Sequence, residues 1–291
     1  MRGVLLFLIA IATAFGQGRV NPTAPLPPVL TPWEITPTTG DNDPFPAHQV
    51  IGNIYYVGTQ DYASFLITSP AGHILLNPDF EDSVDLIKAG VEKLGFQFRD
   101  IKVILISHAH GDHAAGVAKM KEMTGAQFMV MDGDVPATEH PPAGRTPYPA
   151  AKISRVLHDL DEVKLGGNTL VAHLTPGHTK GNTTWTLKVA DGGRMLDVVI
   201  IGSAGVNSAI TLVNNPAYPD MAEDYQKTFK VLKALPCDVF LASHGKFYGM
   251  KAKYARLGQG PNPFVDPAGY QAHVKLMEQA FYYKLDWAKR Q

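Results

Sequence analysis

The sequence has 291 residues, of which 45% are hydrophobic and 18% are charged, and its formal net charge is -1. This composition is typical of a globular protein that buries a sizeable core. The near-neutral charge and the lack of a dense Lys/Arg run argue against nucleic acid as a partner. The single cysteine, Cys237, excludes an intrachain disulfide.

Residues 1–16 have the pattern of a secretory signal peptide. A positive charge is followed by an apolar stretch over residues 4–15, which is too short for a membrane span. The small residues Ala12, Ala14 and Gly16 offer two cleavage patterns. We therefore expect a periplasmic or secreted protein with no stable membrane insertion after processing, and an anchor helix that stays attached is the alternative.

The first half of the chain is predicted to alternate strands and helices after an extended leader. Residues 17–48 are rich in proline and threonine and form the leader, whereas residues 49–291 form a single domain. Residues 132–151 are predicted to be a proline-rich loop that borders a site. The predicted elements are strands over 54–57, 64–68, 73–76, 103–106 and 127–131 and helices over 83–94 and 114–124.

The second half repeats the order of strands followed by a helix. The predicted elements are strands over 162–165, 169–174, 182–189 and 198–201, a helix over 221–235, a strand over 239–242 and a C-terminal helix from Pro267. This repetition predicts an α/β fold in which two β/α halves pack sheet to sheet with helices outside, as a four-layer αββα sandwich.

Three histidines and one aspartate lie within six residues, directly after the predicted strand 103–106. They are His108, His110, Asp112 and His113. Imidazole nitrogen and carboxylate oxygen are ligands that zinc prefers. In an extended segment the first two histidines project to the same side, and Gly111 permits a turn that lets the other two side chains face back. Four donors exceed what one tetrahedral ion with an open position needs, which indicates two metals.

Two further histidines lie on predicted strand-end loops. His178 follows the turn sequence Pro176-Gly177, and His244 follows the strand 239–242. The other histidines lack this context, and we expect them to be structural or surface residues. They are His48, His73, His140, His158, His173 and His273.

The ordered segments 108–113, 176–179 and 243–245 resemble the motifs of the metallo-β-lactamase superfamily, over essentially all of the chain after the leader. The resemblance implies the αββα fold with the site at the sheet edges. Members such as glyoxalase II, lactonases and processing nucleases carry an aspartate that bridges two metals, after a strand between the second and third motifs. Here Ser203 stands in the position of that aspartate, after the strand 198–201. A serine in this position is similar to β-lactamases of subclass B3.

This resemblance implies a cofactor of two Zn²⁺ ions and an activity. His108, His110 and His178 would hold the first zinc, and Asp112, His113 and His244 the second. Hydroxide generated on zinc would open the β-lactam ring of penicillins, cephalosporins and carbapenems, with Asp112 as the catalytic residue that orients it. We therefore expect a monomeric antibiotic-resistance enzyme that needs no protein nucleophile and forms no covalent acyl-enzyme.

The resemblance is less informative about substrate contacts. Certain relatives use two serines after the strand to bind the substrate carboxylate, and here the second position is Gly205. Ser203 or Ser208 would substitute, or water would bridge. Further residues expected to line the cleft are Tyr148, Val206, Asn207 and Ile210. Some members pair the cysteine matching Cys237 with a second one, so without it we expect packing alone to hold the C-terminal segment.

Three alternatives remain open at this point. The chain could be another hydrolase of the superfamily, acting on a lactone, thioester or phosphodiester. It could be a periplasmic zinc-binding or interaction protein, or its histidines could satisfy core hydrogen bonds without a metal. The predicted export and the missing aspartate argue against the first, and the intact set of six ligands argues against the second. The cost of burying four polar donors without an ion argues against the third.

Overall fold

The computed structural model describes residues 38–141, 148–206 and 210–290. The predicted signal peptide and most of the predicted leader lie outside these ranges. The end of the leader segment is packed onto the body, because Asp41 is buried and the first strand begins at His48. Within the described ranges, no helix combines the length and the apolar character that a membrane crossing requires.

The first sheet contains seven strands that are adjacent in chain order. They are β1 (His48–Ile51), β2 (Ile54–Tyr56), β3 (Phe65–Ile67), β4 (His73–Leu76), β5 (Ile101–Leu105), β6 (Gln127–Met131) and β7 (Arg155–Leu157). The strands from β1 to β4 pair antiparallel, whereas those from β4 to β7 pair parallel. The parallel strands therefore end at one common edge.

The second sheet has five strands in the order β12-β11-β10-β9-β8. They are β8 (Glu162–Leu165), β9 (Asn168–Leu174), β10 (Thr183–Asp191), β11 (Arg194–Ile201) and β12 (Val239–Ala242). β11 and β12 pair parallel and the other pairs are antiparallel. The end of β11 therefore lies beside the end of β12.

Seven α-helices and three short 3₁₀ segments complete the described chain. The helices are α1 (Ser83–Lys93), α2 (Gly111–Ala114), α3 (Val117–Thr124), α4 (Val135–Glu139), α5 (Met221–Ala234), α6 (Met250–Tyr254) and α7 (Pro267–Ala288). The 3₁₀ segments are Phe98–Asp100, Asp132–Asp134 and Gly245–Tyr248.

The first sheet is buried on both faces, and its side chains alternate between two cores. Side chains of successive strand residues point to opposite faces. Ile104 packs in the core that contains the α1 and α3 residues Ile87 and Met120. Its neighbour Leu105 packs in the core that contains Trp185 of the second sheet. The layers are therefore helices, sheet, sheet and helices, which confirms the predicted αββα sandwich.

Several local predictions were wrong. β1 and β7 were not predicted, and the predicted loop 132–151 contains a 3₁₀ segment and α4. The predicted helix 114–124 begins later, as α3 at Val117, and the separate short helix α2 precedes it. Gly116 lies between the two helices, where a Cβ would stand 2.4 Å from the carbonyl oxygen of Pro78. The close approach of the loop before α1 therefore separates them.

The expectation that packing alone holds the C-terminal segment is wrong, because hydrogen bonds and an ion pair also hold it. The Tyr270 hydroxyl on α7 donates a hydrogen bond of 2.7 Å to the carbonyl oxygen of Leu232 on α5. Lys233 and Glu278 join the same two helices through an ion pair of 2.6 Å. Hydrogen bonds and charges thus attach α7 near the partly buried Cys237.

Candidate metal centre

The histidine cluster follows β5 at the edge where the parallel strands end. Ser107 N–H donates to Asn77 Oδ1 at 2.7 Å, and the Ser107 carbonyl accepts from Thr183 N–H of the second sheet at 2.7 Å. These bonds hold the start of the cluster between the two sheets. His108 and His113 are consequently buried, whereas His110 is exposed.

His108, His110 and His178 form the first donor group. One nitrogen from each of them lies within 4.8 Å of the others. His178 Nδ1 lies 3.3 Å from the carbonyl oxygen of Gly205, to which it donates. Its Nε2 therefore keeps a lone pair for a cation. Three imidazoles that converge in this way fit a catalytic zinc site with one open position.

Asp112, His113 and His244 form the second donor group. The Nε2 atoms of His113 and His244 lie 3.2 Å apart, and Asp112 Oδ2 lies 3.4 Å from the former and 3.5 Å from the latter. Two ligand atoms that each lie about 2.1 Å from one tetrahedral zinc ion are about 3.4 Å apart. The three atoms are therefore spaced as one face of a zinc tetrahedron.

Burial keeps most of these imidazoles neutral. It lowers the pKa of His113 and of His178 to about 3, and the pKa of His108 falls well below its usual value. Neighbouring histidines, which disfavour another positive charge, contribute to each shift. Neutral imidazole is the form that binds zinc, so these three side chains need not lose a proton when an ion arrives.

His244 behaves in the opposite way because two carboxylates face it. Burial alone would lower its pKa, but hydrogen bonds to Asp112 and Asp61 raise it to about 9. Burial would likewise raise the pKa of Asp112, and His113 and His244 hold it below its usual range. The raised pKa of His244 and the lowered pKa of Asp112 both show that these donors favour a positive charge between them.

Two buried aspartates that the sequence did not single out lie behind the second group. Asp61 Oδ2 lies 3.1 Å from His244 Nδ1, and Asp79 Oδ1 lies 3.9 Å from His113 Nδ1. Carboxylates in such positions orient a metal-binding histidine and set which nitrogen carries its proton. Neither aspartate lies in a motif, so nothing in the local sequence marks them.

A third missed aspartate, Asp134, joins the loops that carry the first donor group. Its Oδ2 accepts from Ala109 N–H at 2.8 Å and from the Thr179 hydroxyl at 2.9 Å. Its Oδ1 accepts from Gly181 N–H at 2.9 Å. Ala109 lies between two of the donors and Thr179 follows His178, so one carboxylate sets the spacing of the two loops.

Of the residues predicted to contact substrate, Gly205 and Tyr148 are bonded to residues of the donor loops. Ser203 is buried after β11, and its carbonyl accepts from Asn182 Nδ2 at 3.0 Å. The Gly205 carbonyl faces His178 and also accepts from Tyr225. The Tyr148 hydroxyl donates to the carbonyl of Ala109 at 2.7 Å.

Val206 is buried and Ile210 partly buried, whereas Ser208 and Asn207 lie outside the described residues. Their roles toward a substrate stay predictions.

Comparisons with known proteins agree with this geometry. The model of the Metallo-beta-lactamase superfamily matches residues 57–244. The native FEZ-1 metallo-beta-lactamase from Legionella gormanii is 47% identical with a TM-score of 0.83, over 85% of this chain and 98% of that chain. BJP-1, a subclass B3 metallo-beta-lactamase of Bradyrhizobium japonicum, is 37% identical with a TM-score of 0.82, over 86% of this chain and 97% of that chain.

Relatives found by sequence carry a different name. A hydroxyacylglutathione hydrolase of Rhodopseudomonas palustris (strain HaA2) is 28% identical over 223 residues, which are 75% of this chain and 74% of that protein. Both kinds of relative are consistent with the family match and with the two donor groups. The chain belongs to the metallo-β-lactamase superfamily.

Proposed function

We propose that this protein is a zinc-dependent β-lactamase that hydrolyses the amide bond of the β-lactam ring. The observation that carries the proposal is Ser203, two residues after the end of β11 and two residues before Gly205, whose carbonyl faces His178. The glyoxalase II type of hydrolase is expected to place a bridging aspartate there, and residues 202–206 contain no carboxylate. The 47% identity to FEZ-1 supports the same choice.

The two donor groups would each hold one zinc ion. His108, His110 and His178 would bind the first, and Asp112, His113 and His244 the second. Zinc supplies Lewis acidity toward a carbonyl group and lowers the pKa of water to about 7. The tetrahedral spacing of the second group and the neutral imidazoles are the features of this chain that fit the ions.

The donors differ in exposure, which indicates the side from which substrate enters. His110 is exposed, and the Asp112 side chain is 28% exposed, whereas that of His113 is fully buried. Asp112 can therefore accept a hydrogen bond from the attacking water and orient it toward the substrate. A carboxylate with a lowered pKa stays ionised in this role.

A cavity of about 620 Å³ beside the cluster suits a small-molecule substrate. Tyr148, one of its lining residues, is bonded to the histidine loop. The lining residues are Asn42, Phe80, Glu81, Asp82, Ala115, Lys119 and Tyr148. Cavities of this size hold drug-sized ligands. We place a substituent of the β-lactam here, with Ser203, Gly205 or Ser208 as contacts for its carboxylate.

We also propose that the protein acts in the periplasm or outside the cell, as a resistance enzyme. The signal-like pattern of residues 1–16 supports this location. Penicillins, cephalosporins and carbapenems would meet it there.

A thioester hydrolase is the second candidate. The hydroxyacylglutathione hydrolases among its relatives favour it, at 28–29% identity over about three quarters of this chain. The difference from the first candidate lies in the bond that is cleaved, so substrates separate the two.

A hydrolysis panel tests both candidates. The full-length protein would be assayed against a penicillin, a cephalosporin, a carbapenem, a lactone and a hydroxyacyl thioester of glutathione, before and after chelation. We expect β-lactam hydrolysis that chelation abolishes and zinc restores. Hydrolysis of the thioester alone would establish the second candidate, and activity that survives complete zinc removal would refute both.

A further inference from the structure

We propose that Asp41 and Lys246 act through Asp61 to position His244, so that the segment before β1 sets the zinc affinity of the second donor group. The inference rests on the two-ion assignment of the proposed function. Asp41 and Lys246 are positioning residues, because the contact with His244 is made by Asp61. We call these three residues the Asp41–Lys246–Asp61 chain.

Asp61 holds His244 and the turn that follows it. The Asp61 side chain is 1% exposed, and its Oδ2 lies 3.1 Å from His244 Nδ1. Its Oδ1 accepts from Lys246 N–H at 2.9 Å, and its carbonyl accepts from Gly245 N–H at 2.6 Å. When neutral His244 donates its Nδ1 proton to Oδ2, the lone pair on Nε2 is left for a metal ion.

Lys246 places one cation between two buried carboxylates. Its Nζ lies 2.8 and 3.0 Å from the oxygens of Asp41 and 3.7 Å from Asp61 Oδ2. The side chains of these aspartates are only 7% and 1% exposed, whereas that of Lys246 is 43% exposed. Buried carboxylates are costly without a partner charge. Removing this ammonium group would leave Asp41 without a counter-charge. Asp61 would then keep only its hydrogen bonds to His244 and to the following turn, and the angle at which it meets His244 would be less well fixed.

Asp41 fixes the position of that ammonium group. Its carboxylate accepts from the backbone N–H and the hydroxyl of Thr38, at 2.7 and 2.6 Å. Its carbonyl accepts from Asp61 N–H and from the Thr59 hydroxyl, each at 3.0 Å. The segment 38–43 and the loop that carries Asp61 are therefore one hydrogen-bonded unit, which links the N-terminal side of the domain to a metal ligand.

Zinc affinity, measured without substrate, tests the proposal. The metal-free full-length protein would be titrated with zinc against a chromophoric chelator, which gives one affinity constant for each donor group. The variant His178→Ala removes a donor of the first group, so the constant that it weakens belongs to that group. We expect Lys246→Met and Asp41→Asn to weaken the second constant by up to about 10-fold, the lower end of the range for direct partners of a ligand, and to leave the first constant unchanged. Lys246→Arg should keep the second constant close to that of the wild type, because arginine keeps the positive charge.

Lys251→Met removes an exposed lysine of α6 and is the matched control. An unchanged second constant in Lys246→Met, or equal loss in both constants, would overturn the Asp41–Lys246–Asp61 chain. A wild type that binds a single zinc would overturn the two-ion assignment and the inference together. Because no β-lactam is present, failure of the proposed substrate class cannot imitate either result.

Discussion

Asp112 is the residue on which the second donor group depends most. It contributes the carboxylate of that group, it is partly exposed, and its charge faces two histidines. Without it, the Nε2 atoms of His113 and His244 would face each other with no anion on that side, because Asp61 and Asp79 lie on the Nδ1 sides of the rings. The charge of Asp112, more than its shape, therefore makes this group suitable for a cation.

Asp112→Asn tests that charge. The amide has nearly the same shape but is a poor zinc ligand. Loss of a residue that is hydrogen-bonded to a ligand typically lowers metal affinity by about 10- to 100-fold, so we expect loss of the ligand itself to lower the affinity of the second group by more than about 100-fold. Carbapenem hydrolysis should fall with it, while the first group keeps its zinc. Zinc content and turnover would be measured beside Asp85→Asn, an exposed change on α1. Full zinc content with retained hydrolysis would remove Asp112 from its assigned role.

The sequence predicted the donors that the fold brings together, but not the aspartates behind them. His108, His110, Asp112 and His113 are contiguous, and their density after an apolar strand is visible without a structure. Asp61 lies 183 residues before His244 and Asp134 lies 47 residues before Gly181. Such pairs are created by the fold, and a lone aspartate carries no local signal of its partner.

At the scale of elements, the site depends on how two loops are held together. The loop after β5 belongs to the first sheet and the loop between β9 and β10 to the second, and Asp134 bonds to both. Gly181 is required at this contact, because a Cβ there would stand 2.5 Å from the Asp134 nitrogen. The joint therefore combines hydrogen bonds with close backbone packing.

Asp134→Asn should weaken this joint. An amide can accept at only one of the two oxygen positions, so a buried N–H loses its partner at a cost of about 1–3 kcal/mol. We expect the free energy of unfolding of the metal-free protein to fall by this amount in urea. The exposed Asp132→Asn should change it by less than about 0.5 kcal/mol. Equal stability of the two variants would show that Asp134 does not join the loops.

Elements were predictable where they are long or apolar throughout. β5 is almost wholly buried and stood out as an apolar run. β7 has only three residues and two of them are exposed, so it lacks a hydrophobic pattern of its own. It exists as a strand because β6 offers a free edge to pair with. Tertiary pairing of this kind overrides local preference.

For the whole molecule, α7 closes the second sheet and buries a histidine that the site does not use. His273 on α7 lies between Phe240 and Phe247, with ring centroids at 5.2 and 5.3 Å. Burial lowers its pKa to about 4, from an ordinary value near 6.5. Between these two pH values the unfolded chain binds a proton that the folded protein does not, so stability falls as pH falls through this window.

His273→Leu should make the protein less sensitive to acid. Between pH 7.5 and 4.5 we expect the metal-free wild type to lose about 2–3 kcal/mol more of its free energy of unfolding than the variant. Urea unfolding at the two pH values measures the difference. The exposed His140→Leu should behave like the wild type, and an equal loss in His273→Leu would exclude His273 as the cause.

The spacing of the six donors along the chain bears on when zinc is captured. Four of them lie between positions 108 and 113, so they remain neighbours in an unfolded or still emerging polypeptide. Folding adds His178 and His244 from distant loops. If these donors bind zinc as proposed, binding would begin before the domain is complete. Zinc would then stabilise the native state only by the difference between its affinities for the folded and the unfolded chain.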